Sequence, residues 1–493
     1  MPMAQARRSR GQRPILIVAL LVTALLAIVT MPSVAEAQWA ERSMGQSTRT
    51  DRLSRICDVV VRHNGTVLAT WITITGTGYA QAAPLGKRLI HRAYFAERRA
   101  SGGWSPSKLV WSHATVTRYG NGATVGVFAG CPQIILGTRS SLDLLWQEQT
   151  SHRGRALPSY DLATRVRRPG GVWSAVRKVP GSDSVELDGS VSISEDGRAF
   201  VPARKRGQPL AYVRSPAGLW SRLGITSTRS ANSFSALFDT ANRMIVTWRT
   251  GSNGRYSRVR MSSGNLGPVE ALPKAGDCVR DDPILAADGR GRVVAAWACQ
   301  DISNYIEATV RDANGGWKPP TRFDVDAAGG PVGVDFDSLG TARIWWRIET
   351  PNTPRPGWTD QTDPRTVSAL RASYLQAGSD AWQPATTASE GLPTPFNNFA
   401  WKVYGWSPAG IVDLVQFSIN YDASPSSLPR VLPVNRSLTT LRRQPDGAWE
   451  IPVIHDRNVS GYGAPLLLVR TGGGRTAIGW TNDGARGAVV SVR

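Results

Sequence analysis

Apolar and polar residues alternate along most of the chain in short runs, and the runs recur. One recurring unit is a turn with Gly, Asn or Asp, followed by an alternating apolar strand that ends near Trp. Its instances are Asn64-Gly65 to Trp71, Asp143 to Trp146, Asp196-Gly197 to Val201, Asp239 to Trp248, Asp288-Gly289 to Trp297, Asp337 to Trp345, Pro408 to Phe417 and Gly472 to Trp480. Phe200 and Val415 stand in for Trp in the third and seventh copies. Counted from these positions, the central copies lie about 48 residues apart and the flanking ones up to 75. A second pattern follows the first: an extended run with Val-Arg, a Gly-rich turn, then Trp and often Pro. Val166-Arg167 precedes Gly170-Gly171-Val172-Trp173, Val213-Arg214 precedes Gly218-Leu219-Trp220, and Val310-Arg311 precedes Gly315-Gly316-Trp317-Lys318-Pro319. Related copies end at Trp104, Trp382 and Trp449, and a degenerate one spans Gly264–Pro268.

Each unit therefore predicts four short strands. Asp-Gly and Asn-Gly between alternating apolar runs signal hairpins with type I′ turns, where both central residues need positive φ. Four-stranded units of 45 to 50 residues are the sequence mark of propeller blades. Inner strands covered on both faces read as apolar throughout, as Arg292–Trp297 and Thr341–Trp346 largely do. The predicted fold is all-β, a β-propeller of eight four-stranded blades, with seven as the alternative.

The last unit has strands at Leu466–Arg470 and at Thr476–Trp480, and a third ending at Val492-Arg493. Gln38-Trp39-Ala40-Glu41-Arg42 is the candidate for its fourth strand. Such closure ties the ends of the ring together and removes exposed strand edges. Long Pro-, Ser- and Arg-rich inserts interrupt unit two (Ser151–Tyr160), unit six (Glu349–Val367) and unit seven (Asn420–Ser437). Loops of that length are either functional or neutral insertions at a permissive tip.

The N-terminus adds a compartment. Arg7, Arg8, Arg10 and Arg13 precede an apolar stretch from Ile15 to Met31, then Pro32 and Ala35-Glu36-Ala37. This order reads as a secretory signal over residues 1–37, with residues 38–493 as a single propeller domain. An uncleaved membrane anchor is the alternative. Cleavage leaves a secreted protein with no further span.

The 493 residues carry 58 basic and 37 acidic side chains, a formal charge of +21, and seven of the basic residues are Lys. Removing residues 1–37 takes away four Arg and one Glu, which leaves +18. A basic extracellular surface attracts anionic glycans or cell-envelope polymers through long-range electrostatics. Arg placed along outer strands also solvates edges and blocks pairing. Specific nucleic-acid motifs are missing from the sequence, and a monomer is expected.

Four Cys suit an exported protein with disulfides. Cys278 and Cys299 flank the hairpin centred on Asp288–Gly291. Cys57 and Cys131 each precede the first strand of adjacent units. The favoured pairing is therefore 57–131 with 278–299, and free buried thiols are the alternative.

Chemistry is sparse. His63, His91, His113, His152 and His455 are scattered, with no His-Glu-x-x-His and no Gly-x-Ser-x-Gly. Asp335-x-Asp337 is too short for a calcium loop. No catalytic residue, metal or cofactor is assigned. Glu148, Glu349 and Asp413 lie close to strand ends, and a glycosidase carboxylate pair has no fixed sequence spacing. Most of the 18 Trp occupy repeat positions and predict blade-to-blade packing. Trp358, Trp401 and Trp406 lie off the pattern and are the ligand-contact candidates.

The repeat pattern resembles that of secreted sialidase-like β-propellers of high-GC Gram-positive (actinobacterial) bacteria, over about residues 38–493. Sialidases carry a box Ser-x-Asp-x-Gly-x-Thr-Trp. Here Ser194-Glu195-Asp196-Gly197-Arg198 places Gly one residue early, and no Thr-Trp follows. The resemblance implies a propeller. The leading functional expectation is a non-catalytic binding or interaction protein. A sialidase-like glycoside hydrolase or polysaccharide lyase is the alternative.

Overall fold

The computed structural model describes residues between 40 and 492, for some strand residues the backbone alone. Outside it are 1–39, 45–51, 76–87, 125–129, 151–158, 225–230, 274–282, 352–365, 388–397, 407–411, 422–432, 444–449, 457–466, 471–475, 483–486, 493 and loop gaps of one to three residues. The signal segment 1–37 and Trp39 thus lie outside the described residues.

The described chain is all-β. Sheet I runs Arg52–Val61, Val67–Thr75, Arg88–Arg98 and Lys108–Val116. Sheet II has Gln133–Leu136, Leu142–Thr150, Ser159–Arg167 and Arg177–Lys178. In sheet III the first strand is split into Val185–Leu187 and Ser192–Ile193. Both halves pair with Ala199–Lys205, followed by Gln208–Arg214 and Trp220–Leu223. Sheet IV is Ala231–Phe238, Met244–Thr250, Gly254–Arg260 and Leu266–Ala271; sheet V is Ile284–Ala287, Val293–Gln300, Asn304–Arg311 and Thr321–Phe323. Sheet VI comprises Ala327–Phe336, Ala342–Pro351, Thr366–Leu375 and Thr386–Thr387. Sheet VII comprises Asn398–Trp406, Val412–Tyr421, Pro433–Arg443 and Val453–Asp456. In sheet VIII the order is Leu467–Arg470, Thr476–Asn482, Gly487–Val492, then Ala40–Met44 at the edge. Every pairing with a described register is antiparallel, and strands follow sequence order within sheets I to VII.

A Trp on the second strand of six of the eight sheets, with Phe200 in its place in sheet III, explains why these segments form sheets that stack. Trp71, Trp146, Trp248, Trp297, Trp345 and Trp480 are all buried, none more than 3% exposed. Each sits in a strand apolar on both faces, which is stable only between two other sheets. The core is accordingly a series of seams between consecutive sheets. One cluster joins Ala93, Phe95 and Ile74 of sheet I to Ile134, Leu144 and Trp146 of sheet II. Others join II to III, III to IV and V to VI. A further cluster joins Ile56, Val59 and Trp71 of sheet I to Ala477, Val490, Val492 and Met44 of sheet VIII. This is β-propeller architecture.

The Trp of the second pattern does a related job. Trp173 meets Phe95 of the preceding sheet edge-on at 5.4 Å, and Trp382 meets Phe323 at 5.4 Å. Trp317 donates its indole N–H to Ser257 Oγ of sheet IV at 2.7 Å. The repeat Trp are packing residues, as their periodicity predicts.

Two local expectations need correction. The five first-to-second turns with described closing bonds, in sheets I, III, IV, V and VI, are three-residue loops rather than two-residue type I′ turns. Among the described residues each has one left-handed position, at the third loop residue: Gly65, Gly197, Asn242, Gly291 or Gly340. In one, Asp239 N–H bonds Arg243 C=O and Asn242 N–H bonds Asp239 C=O, a three-residue loop closed by one αL position. One residue more per loop relaxes the demand for a second positive φ. Asp143, read from sequence as a turn residue, is instead buried inside strand Leu142–Thr150, where its carboxylate meets Arg214.

Cys57 and Cys131 form a disulfide with Cα atoms 5.0 Å apart, joining the first strand of sheet I to the segment that leads into sheet II. Cys57 sits at a bulge, where the register with the second strand shifts between Ile56 and Asp58. Cys299 is disulfide-bonded as well, and Cys278 lies outside the described residues. No helix among the described residues is long and apolar enough to cross a membrane.

Candidate functional site

Sequential antiparallel strands divide every sheet into two ends. First-to-second and third-to-fourth links leave from one end, here the hairpin end. Second-to-third links leave from the other, the insert end.

The hairpin end is occupied by the fold's own Arg residues. Asp239 accepts the Arg243 backbone N–H at 2.8 Å and its guanidinium at 2.6 Å. Arg243 then reaches forward to Ala313 C=O of sheet V at 2.9 Å. Arg198, beside Asp196, reaches Ser262 C=O of sheet IV at 2.8 Å; Arg292 reaches Gly340 C=O of sheet VI at 3.3 Å. These three Arg occupy the same place, four residues after Ser194, Asp239 and Asp288. Arg at the end of the third strand reaches backward. Arg167 pairs with Glu97 of sheet I at 2.5 Å, Arg214 with Asp143 of sheet II, and Arg311 with Glu270 of sheet IV at 3.2 Å. Glycine makes room for them. A Cβ on Gly171 or Gly218 would come within 3.3 Å of the guanidinium of Arg167 or Arg214, and both glycines hold φ above +80°. Six Arg residues thus clamp neighbouring sheets together. Arg177, Arg222 and Arg322 on fourth strands are exposed and fit the edge-blocking role expected of them.

The insert end has a different character. The second-to-third connections of sheets I, II, VI and VII contain 76–87, 151–158, 352–365 and 422–432, and all leave from this end. Beside the connection of sheet II stand Glu148 and Asp161, paired across the strands, with Tyr160 next to them. Lys178 Nζ bonds Asp161 at 2.8 Å and also Asp183; these contacts hold Lys178 above its usual range and Asp183 below. Asp161 also accepts the Ser184 N–H at 3.3 Å, and Ser182 Oγ accepts the Leu162 N–H at 3.1 Å. Arg204 Nε bonds Asp188 at 2.6 Å on sheet III. Burial, and then the negative charge of Glu186, push the Tyr160 hydroxyl upward. The result is a surface of alternating carboxylates and cations beside a long insert, suited to hydrogen bonding a polar, charged polymer.

Asp58 holds the inner strands of sheets I and II together. Its carboxylate accepts the Ile134 N–H at 2.7 Å, and Thr70 Oγ1 donates to Pro132 C=O at 2.7 Å. Burial raises the Asp58 carboxyl from 3.8 to about 6, against the smaller pull of the Ile134 and Val59 N–H groups. The folded chain therefore holds this proton more tightly than the unfolded one between pH 4 and 6. Stability falls as pH rises through that window, and the cost is fully present above it. Asp58→Asn keeps an acceptor for Ile134 without the charge. It should gain on the order of 2 kcal/mol at pH 7.5 and nothing at pH 4. Urea unfolding at both pH values checks this; an equal effect at both would remove the assignment.

No family model matches the chain, and no curated protein does. Solved structures do. One of two prolyl endopeptidases matches at 11% identity over 87% of this chain and 55% of that chain, with a TM-score of 0.45. The chain thus spans about half of that enzyme's length. A polysaccharide lyase, an ulvan lyase bound to a GlcA–Rha3S disaccharide unit, matches at 10% over 91% and 95%, TM-score 0.43. The NanB sialidase from Streptococcus pneumoniae matches at 8% over 90% and 93%, TM-score 0.36. At such scores these likenesses carry no weight for activity.

The residues singled out in the sequence are only partly brought together. Trp401 and Trp406 lie in the first strand of sheet VII, opposite Gln416 and Val412. Trp358 lies outside the described residues. Glu148 and Glu349 both stand toward the insert end of second strands, opposite Asp161 and Ser368. Asp413, opposite Tyr404, is the second residue of its second strand and so stands at the hairpin end. Sequence reasoning missed the inter-sheet Arg clamps, although their recurrence four residues after Ser194, Asp239 and Asp288 is a visible signal. It also left His91 and His113 as scattered residues. They are directly opposed across adjacent strands of sheet I.

Proposed function

We propose that this chain is a secreted, monomeric β-propeller of eight blades that binds an anionic glycan or cell-envelope polymer at its insert end. The observation that carries the reading is the common exit of the long connections. Four of them leave second strands from the same strand end, the one in sheet II next to the mixed carboxylate and cation surface of sheets II and III. Long loops on a rigid scaffold are where recognition concentrates. The formal charge of +18 left after removal of residues 1–37 favours a polyanionic partner. Residues 1–37 act as the export signal in this reading.

The test is a glycan array probed with the purified protein, with fluorogenic glycoside turnover and lyase absorbance followed on the hits. The expected result is salt-sensitive binding to acidic polysaccharides without turnover. That binding should weaken at least about tenfold when 352–365 and 422–432 are replaced by short turns. Rapid turnover would install the hydrolase or lyase reading instead. Unchanged binding in the loop variant would move the ligand elsewhere.

Ring closure belongs to the same reading. Ala40–Met44 forms the edge of sheet VIII, and Met44 is buried in the seam between sheets VIII and I. Deleting 38–50 should lower the melting temperature by about 5 °C or more. An unchanged melting curve would mean that the ring is held without this strand.

A further inference from the structure

We infer that His91 and His113 form a binding site for a divalent transition metal, of the Zn2+ or Cu2+ class, in the seam between sheets I and II. The two residues are register partners on the third and fourth strands of sheet I, so their side chains share one face. Directly opposed residues in an antiparallel pair have Cβ atoms about 5 Å apart. Two imidazoles at that spacing can place one nitrogen each on a single metal at about 2.0–2.1 Å.

The second observation is the state of His91. Its ring is 1% exposed, and neither ring nitrogen has a hydrogen-bond partner. A buried donor or acceptor left unmatched costs about 1–3 kcal/mol, so such a ring needs an explanation. His113 is half-buried and gives the pair its opening to solvent.

The facing wall is formed by sheet II. Trp111 and Trp146 stack across the seam at 6.2 Å, and Ala93, Trp146 and Ala163 share its core. Alternation along a strand then puts His91 and His113 on the sheet I wall, and Glu148 and Asp161 on the sheet II wall, all toward the insert end. Asp161 on that wall is already bonded to Lys178 and to the Ser184 N–H, so the imidazole pair supplies the protein ligands. Among the described residues no three ligands converge. The metal therefore takes two protein nitrogens and completes its sphere with water. Imidazole pairs favour Zn, Cu and Ni over Mg or Ca.

The experiment uses the purified protein, stripped with EDTA and dialysed. Thermal unfolding is followed with ZnCl2, and Cu2+ binding by equilibrium dialysis and electron paramagnetic resonance. Near 100 µM Zn2+ the melting temperature should rise by about 3 °C or more, reversed by EDTA, with no response to Mg2+. The Cu2+ spectrum should show coupling to two nitrogens. His113→Ala, at the half-buried position, should fold normally. It should lose the Zn2+ shift, weaken Cu2+ binding at least about tenfold and lose one nitrogen from the spectrum. His91→Phe fills the buried space and should abolish the site without lowering basal stability. No metal-dependent shift in the native chain, or a shift and spectrum retained in His113→Ala, would overturn the site and assign any bound metal to other histidines.

Discussion

Replacing Arg214 with Ala should cost about 3–5 kcal/mol of folding stability, among the largest single-site losses in this chain. Arg214 sits at the end of the third strand of sheet III and bonds Asp143 of sheet II; the two side chains are 3% and 0% exposed. Arg214 also donates to Gly197 C=O at 2.6 Å. Burial raises the Asp143 carboxyl more than the Arg214 hydrogen bond and charge lower it, so the pair is held at a net desolvation cost. Removing the cation leaves that cost without its compensation. The reciprocal Asp143→Ala should lose a similar amount, for it strands a guanidinium. Asp143→Leu combined with Arg214→Met replaces both charges by apolar volume and should recover most of the loss. Urea denaturation of the two single variants and the double variant measures the coupling. Additive losses would mean that the two residues act independently and that the clamp between sheets II and III lies elsewhere.

Trp297→Ala should cost about 3–5 kcal/mol through lost burial and the cavity it leaves. The ring is fully buried in the second strand of sheet V, within the seam to sheet IV. Its indole N–H donates to Glu307 Oε2 at 3.1 Å, and Arg255 of sheet IV lies 5.2 Å over the ring. Trp297→Phe separates these contributions. It keeps most of the volume and removes one donor to a buried carboxylate, and should cost about 1–3 kcal/mol. Guanidinium unfolding of both variants checks the order. A loss below about 1 kcal/mol for Trp297→Ala would mean that the seam between IV and V does not carry the stability assigned to it. The outward Val172, at 68% exposure, is the natural control, because its truncation touches no seam.

The repeat was legible because its signals are local. A strand declares itself by alternation at period two, and the buried second strands by apolar runs ending in Trp297 or Trp345. The link between them shows as Asp or Asn with a Gly nearby. The turn type was misread because Asp-Gly suits more than one loop length. Only the backbone shows that Gly291 rather than Asp288 takes the left-handed position. Asp143 was misplaced for a related reason. An Asp before Leu-Leu-Trp looks like a turn residue until its partner 71 residues away is known.

The candidate site was less legible, because it depends on which ends and which faces meet. The off-pattern Trp401 and Trp406 could be found in sequence, but their shared strand does not by itself join them to Glu148. Glu349 and Asp413 looked equivalent as carboxylates near strand ends. Strand direction puts them at opposite ends of their sheets.

The amino-acid sequence by itself determined the strands, the sites of most turns, the repeat Trp that pack the seams and the succession of the units, since each follows from φ preferences and side-chain alternation within a few residues. The placement of Cys57 and Cys131 ahead of adjacent first strands likewise pointed to the disulfide that they form. Only the tertiary structure decided that Arg214 finds Asp143 and that His91 faces His113. Those pairings depend on how strands align within a sheet and how one sheet's face lies on the next. Neither is set by any short stretch of chain.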